Sequence, residues 1–425
     1  MKKPLAILGF GGEGRAVLKF LRRNKKFRGR EIWILDKVPK LNLPGGVGSR
    51  LGPSYLKNLS DFETVFRSPG VPYNLPELRA ARKAGVKFSS ATKLFFEKCK
   101  SPIIGVTGTK GKGTTSTLIY DLLRAGGKKV FLAGNIGTPA IEILPMLTKN
   151  SLVILELSSF QLQDLECSPK FAVVLELFPD HQDSHKDLPE YYGAKANIVK
   201  HQSQTDTVFF FADQKKSREI GMAGRAKKIA VNPNKFIAFD PEELEVRGAH
   251  NFRNVCMATM VAETLGVPRK TIIRIVHNFR GLNHRLEFVR SVKNVSFYND
   301  SASTNPHTSA AAIRAFKNEP AVFIMGGSDK GLDYAPVAIA IREAKPRLMV
   351  LFGANSLKIR RALLKTGVKI KLAKNLLSAV VIANAAAKKE LSPAHVVLSP
   401  GAASFDMFKN YADRGNKFKT AVRKI

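Results

Sequence analysis

The stretch GVTGTKGKGTTSTL, Gly105 to Leu118, decides how the rest of the chain is read. An apolar strand pattern, SPIIGVTG, runs into it, and a helical pattern, TSTLIYDLLRAGG, runs out of it and stops at glycines. Glycines between a strand and a helix let backbone amides face an anion at the helix N-terminus, where unpaired N–H groups and the helix dipole favour negative charge. The usual nucleotide loop reads GxxxxGK followed by Ser or Thr. This one departs twice: Val106 stands where the first glycine belongs, and Gly113 follows Lys112 where a hydroxyl is expected. Gly108 and Gly111 still free the backbone, Lys112 can still reach the outer phosphates, and Thr114 and Thr115 offer hydroxyls one and two positions later. The loop therefore reads as an altered phosphate site, not a lost one.

Downstream, VFLAGNIG, SLVILELSS and FAVVLELFPD read as strands separated by helical or turn sequence, the alternation of a mainly parallel α/β sheet. Residues 201–247 carry little signal, and GAHNFRNVCMATMVAETLG reads as a helix. Upstream, LAILGF leads into GxGxxG at Gly9, Gly11 and Gly14, then the helical AVLKFLRR and the strand EIWILD, which ends at Asp36. That βαβ start predicts a dinucleotide-type phosphate turn, and the region closes with another strand-end turn, SPGVP, at Ser68 to Pro72. From about Leu282, the strands VSFYND, AVFIMGG, RLMVLFG and HVVLSPG alternate with alanine-rich helices and end where open α/β sheets place ligands. The expected fold is α/β with three domains in series. Residues 1–98 are Rossmann-like, 99–281 form a P-loop ATPase-type, mainly parallel sheet, and 282–425 are Rossmann-like again.

The composition bounds the function. Hydrophobic residues make up 44% of 425, enough for several cores, and no apolar run approaches the roughly 20 residues that span a bilayer. Glycines interrupt the apolar patch behind the first lysines before a signal-peptide core is complete. Cys99, Cys167 and Cys256 are too scattered for a disulfide frame or a zinc cluster, so a reducing cytoplasm is expected. The 69 Lys and Arg against 34 Asp and Glu give +35, a charge that attracts polyanions. The basic residues are spread in pairs such as Arg22-Arg23 and Lys215-Lys216, without a basic arm or Arg/aromatic repeats, which reads as a solvated surface and not a nucleic-acid site.

GVTGTKGKGTT resembles the GxxGTxGK[ST] loop of the Mur ligase superfamily, and related folylpolyglutamate synthases also carry glycine after the lysine. Further matches follow in family order from Gly9 to Lys419. They are GNIGTP (134–139), ILELSSFQL (154–162), PDHQDSH (179–185), HNFRN (250–254), NHRLE (283–287), NDSASTNP (299–306), MGGSDKGLDY (325–334) and LSPGAASFDMFKNYADRGNKFK (398–419). ELSSFQL and SPGAASFDMFKNYADRG are similar to the branch that joins D-glutamate to UDP-N-acetylmuramoyl-L-alanine. The resemblance implies a cytoplasmic, monomeric, ATP- and Mg²⁺-dependent amide-forming ligase of peptidoglycan precursor synthesis, with those two small molecules as partners and neither membrane nor nucleic acid. Alternatives that stay open are a superfamily ligase adding another amino acid and a folylpolyglutamate synthase-like enzyme. A nucleotide-regulated nucleic-acid binder is the rival from another class, but no RRM, helix-turn-helix or zinc motif supports it.

The resemblance also implies roles. Gly108, Thr109, Lys110, Gly111, Lys112, Gly113, Thr114 and Thr115 would hold ATP, with Asn251, Asn254, Arg285 and Asp300 at its adenine, phosphate and ribose. Lys112, Asn135, Glu156, His181 and Lys195 would be catalytic. Thr114, Glu156, His181 and a carbamylated Lys195 would ligate two Mg²⁺ ions. Glu156, closing an apolar strand, is the hard oxygen ligand expected for Mg²⁺, whereas His181 and Lys195 owe their roles to the resemblance alone. Gly11, Gly12, Glu13, Gly14, Asp36, Ser68, Pro69, Gly70, Val71 and Asn135 would hold the UDP-muramoyl substrate. Thr304, Lys330, Ser404, Phe405 and Tyr411 would hold the amino acid. Asp183 and His185 read as ordinary surface residues. One departure stands out: Ala302 replaces the lysine of the family's NDSKATN, and Lys110 is the candidate to supply that cation.

Overall fold

The structure is a computed structural model that describes residues 3–135, 137–180, 185–236, 238–240, 243–246, 248–329 and 331–425. The expectations for His181, Asp183 and Lys330 fall outside the described residues.

A parallel sheet covered on both faces has no polar side, so its strands are written as short unbroken apolar runs. Three such sheets form. The first has the order β3-β2-β1-β4-β5, from β1 (Leu5–Leu8), β2 (Ile32–Asp36), β3 (Gly48–Leu51), β4 (Thr64–Arg67) and β5 (Lys87–Ser89). The second has the order β11-β10-β9-β6-β8-β7, from β6 (Ile103–Thr107), β7 (Lys129–Gly134), β8 (Ser151–Glu156), β9 (Phe171–Val174), β10 (Thr207–Phe211) and β11 (Lys227–Val231). Both are parallel throughout. The third has the order β12-β13-β17-β14-β15-β16, from β12 (Glu287–Val292), β13 (Val295–Asn299), β14 (Ala321–Met325), β15 (Leu348–Leu351), β16 (Ile370–Leu372) and β17 (Ala394–Leu398). It is parallel except for the antiparallel β12/β13 pair, which carries a bulge at Phe288/Arg290.

The strands expected from apolar runs are present, but FAVVLELFPD stops being a strand at Val174, and β10 and β11 lie in the stretch that looked uninformative. The chain packs as two compact units. Met1–Phe236 with Arg253–Ile275 holds the first two sheets, and Ile237–Phe252 with Val276–Ile425 holds the third.

Central strands carry the core. β6, β10, β14 and β17 are buried at every residue, and each Val, Leu, Ile or Phe so enclosed contributes about 1.5–3 kcal/mol. β6 lies between β8 and β9 with Val106 opposite Glu156 and Thr107 opposite Val174, so the loop after Thr107 emerges at the carboxyl edge beside both. No helix among the described residues is long and apolar enough to cross a membrane.

Candidate active site

The helix Lys112–Ala125 starts directly from the loop, with Gly111 at its N-cap in the left-handed region (φ 82°). A Cβ there would lie 2.2 Å from Asn254 Oδ1, so the turn favours glycine and any larger residue must displace the Asn254 side chain. Asn254 Oδ1 also accepts from Thr115 Oγ1 at 3.3 Å. This commits the Thr115 hydroxyl and leaves Thr114, in the same first turn, as the better candidate for a metal-facing oxygen. Thr109 is committed too: its hydroxyl accepts from the Phe178 amide (2.9 Å) and lies 2.8 Å from the Tyr191 hydroxyl, while its amide donates to Glu176 O. Its side chain ties the loop to the segment after β9 and to Tyr191. Lys110 is exposed.

Two amines converge on one carbonyl. Lys112 Nζ donates to Gly108 O (3.0 Å) and Thr109 O (3.2 Å), and Lys195 Nζ donates to the same Gly108 O at 3.0 Å. Lys195, on the helix Leu188–Lys200, is 2% exposed. Burial, and after it the Lys112 charge, hold its pKa well below the ordinary lysine value, while Asp180 and Glu156 pull the other way. The surface lysine read from spacing is an interior amine biased toward its neutral form. Glu156 is 6% exposed, and its Oε1 accepts from Asn135 Nδ2 at 2.7 Å. The Asn135 amide also donates to Glu156 O, so Asn135 orients the carboxylate. Among the described residues no three His, Cys, Asp or Glu cluster as a metal site.

The glycine turn after β1 brings its expected residues together. Gly9 has φ 88°, and a Cβ on Gly14 would sit 2.2 Å from the Gly9 carbonyl oxygen. Ser68 Oγ donates to that oxygen at 2.7 Å. Asp36 occupies the turn itself: Oδ2 accepts from the Phe10 amide (2.7 Å) and Oδ1 from the Val38 amide (2.9 Å). Glu13 faces the second sheet's region, with Oε1 accepting from Gln161 Nε2 at 2.8 Å, and burial raises its pKa. Arg67, one residue before Ser68 and 2% exposed, donates to Val71 O and Phe160 O and lies 3.5 Å from Asp164. It therefore ties the SPGV turn to the segment following Glu156, a role with no periodic signal in sequence.

His185 corrects the surface reading. It is 3% exposed, stacks on Phe160 (5.0 Å, 5°), meets Tyr191 edge-on, and places Nε2 3.0 Å from Ser159 Oγ. A lone histidine in a polar stretch becomes interior because two aromatic rings from other elements enclose it.

The unit of the third sheet contains Asp300, expected at the ribose. Its carboxyl is enclosed, accepts from the Leu286 amide (3.2 Å) and Ser399 Oγ (2.8 Å), and is pushed up by burial to about 6. Those partners make it an interior anchor. Asn251 is buried, Arg285 exposed, and the Ala302 amide donates to His284 O. Thr304 and Ser404 come from neighbouring loops, joined by Gly401 N donating to Ser303 O (2.9 Å). Ser404 is buried, while Phe405 and Tyr411 are exposed by 68% and 47%. Behind these loops lies a residue that sequence reading passed over, Arg414, fully buried.

The family described as Mur ligase middle domain matches residues 106–262. The UDP-N-acetylmuramoylalanine–D-glutamate ligase of Acetivibrio thermocellus is 35% identical over 462 aligned positions, covering 100% of this chain and 97% of that protein. The enzyme of the same name from Symbiobacterium thermophilum is 34% identical over 458, covering 100% and 99%. Among solved structures, the UDP-N-acetylmuramate–alanine ligase of Thermotoga maritima superposes with a TM-score of 0.59 at 17% identity, covering 99% of both chains. The Mycobacterium tuberculosis folylpolyglutamate synthase complexed with ADP gives 0.58 at 12%, covering 78% of this chain and 93% of that one. At those identities the two structures establish the shared α/β fold. The full-length sequence matches go further: the chain belongs to the UDP-N-acetylmuramoylalanine–D-glutamate ligase family of Mur ligases.

Proposed function

We propose that the loop after β6 is where ATP energises the carboxyl group of UDP-N-acetylmuramoyl-L-alanine, so that D-glutamate can be joined to it in peptidoglycan precursor synthesis. A carboxylate does not condense with an amine at neutral pH. Transfer of the γ-phosphoryl group to a carboxylate oxygen makes an acyl phosphate, and attack by the glutamate amine then forms the amide and releases phosphate. Phosphoryl transfer of this kind needs positioning and charge neutralisation more than covalent help.

The observation that carries the reading is the convergence of Lys112 and Lys195 on the Gly108 carbonyl, in the loop that leaves β6 beside Glu156. Lys112 must leave its carbonyl partners to meet the outer phosphates, and the amides of the first helical turn receive the inner ones. Gly111 keeps that turn open to the backbone.

The donor set suits Mg²⁺, which prefers hard oxygens: the Glu156 carboxylate, held in orientation by Asn135, and the Thr114 hydroxyl. Lys195 joins that set on carbamylation, because a buried amine held neutral is the form that adds carbon dioxide. With His181 these residues would hold the ions, two in number, which neutralise phosphate charge. The first glycine turn, with Ser68 to Val71, receives the UDP portion, and Thr304, Ser404, Phe405, Tyr411 and Lys330 receive the amino acid.

The test is phosphate release from ATP in the presence of UDP-N-acetylmuramoyl-L-alanine, comparing D-glutamate with L-glutamate, D-aspartate and lysine. Release that requires D-glutamate is expected. Release indifferent to the amino acid contradicts the ligase reading, and release that prefers another amino acid replaces the substrate.

A further inference from the structure

We propose that Arg414 is a positioning residue for the incoming amino acid: one buried guanidinium ties together three strand-end loops of the amino-acid cup and lends them the positive field that draws in a dicarboxylate. This rests on the ligase reading above.

The side chain leaves the helix Tyr411–Arg423 and is 0% exposed. Nε donates to Ser301 Oγ at 3.0 Å and Nη2 to Ser301 O at 2.9 Å, in the loop after β13. Nη1 donates to Ala402 O (3.0 Å) and Ala403 O (3.3 Å), in the loop after β17, and reaches Gly326 O (3.5 Å) directly after β14. These loops run on into Thr304, into Ser328, and into Ser404 and Phe405. Ser328 N closes the cup by donating to Ala403 O at 2.9 Å.

Every one of these acceptors is a carbonyl or a hydroxyl. The two carboxylates that favour the guanidinium's charge through space, Asp406 and Asp300, spend their oxygens elsewhere. Asp406 accepts from Ser328 Oγ and the Ala354 amide, and Asp300 from Ser399 Oγ and the Leu286 amide. A guanidinium taken out of water without a bonded carboxylate is costly, and an apolar side chain would fill the same space at less expense. Burial lowers the Arg414 pKa to about 10, which leaves it charged at neutral pH. Its forked donors reach all three loops at once, which a lysine's single ammonium cannot reproduce. The residue is therefore suited both to fix the cup and to favour an anionic amino acid over a neutral one.

The experiment separates the two half-reactions in the full chain. Hydroxylamine captures the acyl phosphate as a hydroxamate without any amino acid, whereas the complete reaction needs D-glutamate. Arg414→Met is expected to raise the KM for D-glutamate at least about tenfold, with hydroxamate formation and the KM values for ATP and the UDP substrate changing less than about twofold. Arg414→Lys, which keeps the charge, is expected to recover part of that loss. A folded Arg414→Met protein with an unchanged glutamate KM overturns the proposal, as does an equal fall in both half-reactions. Should Arg414→Met not fold, Arg414→Lys and Ser301→Ala, which removes the Nε acceptor, decide by the same criterion: a raised glutamate KM alone upholds it, and an unchanged one overturns it. Wild-type enzyme that forms hydroxamate but ignores D-glutamate marks a failure of the substrate reading, not of the role of Arg414.

Discussion

The chain builds a glycine turn at the carboxyl edge of each of its first two sheets, and the two turns are charged in opposite senses. The turn after β1 carries its own anion, since Asp36 already accepts the Phe10 amide and Glu13 stands close by. The turn after β6 carries its own cation, Lys112, which shares the Gly108 carbonyl with the buried amine of Lys195. Backbone geometry is common to both, so side-chain charge decides what each can hold. A resident carboxylate suits a ligand's hydroxyl and amide groups, whereas an ammonium beside a helix N-terminus awaits phosphate.

The strongest way to break the comparison is to add a methyl group to each turn. In Gly14→Ala the new Cβ overlaps a backbone oxygen, Gly9 O, at 2.2 Å. Backbone cannot swing aside, and a loss on the order of 3 kcal/mol is expected, read as a lower denaturant midpoint or as insoluble protein. In Gly111→Ala the overlap is with the side chain of Asn254, which can turn away, and left-handed alanine costs only about 1–2 kcal/mol. That variant is expected to fold yet turn over roughly a hundredfold more slowly, because the loop no longer presents its amides in register. Equal effects of the two substitutions on stability would erase the distinction between a structural and a catalytic turn.

A smaller effect sharpens it. Lys195 has a folded-state pKa below its unfolded value of 10.5, so the unfolded chain binds its proton more tightly. Stability contributed by the neutral amine is fully present above the unfolded pKa and is lost as pH falls toward the folded one. Lys195→Met is accordingly expected to inactivate the enzyme while raising its midpoint in neutral and mildly acidic buffer, with the gain shrinking toward pH 10.5. Wild-type activity is expected to fall in carbon dioxide-free buffer and return with bicarbonate. A destabilised Lys195→Met protein would mean the amine is charged and paired.

Sequence made the second turn legible because strand, glycines, lysine and helix follow one another within fourteen residues, Gly105 to Leu118. The central strands were legible too, as apolar runs. Most edge strands were not, β7 being the exception. β3, β5 and β16 are three or four residues long and partly exposed, and β12, paired only with β13, alternates with polar residues. β10 was overlooked because a five-residue apolar run alone does not separate a strand from a buried helix segment. At the site, Lys112 announces itself by its place in the glycine loop at a helix start, and Glu156 by its position at a strand end. The interior placement of Lys195, His185 and Arg414 depends on elements distant in sequence, and each looks solvated within its own helix or loop.

The central claim is that the loop after β6 energises a carboxyl group by phosphoryl transfer. It is tested most directly by labelling both carboxyl oxygens of UDP-N-acetylmuramoyl-L-alanine with heavy oxygen and analysing the phosphate released during ligation. Phosphate expelled from an acyl phosphate takes one substrate oxygen with it, so each phosphate is predicted to carry one labelled atom, and Lys112→Ala is predicted to suppress its formation. Unlabelled phosphate accompanying full amide formation would contradict the account.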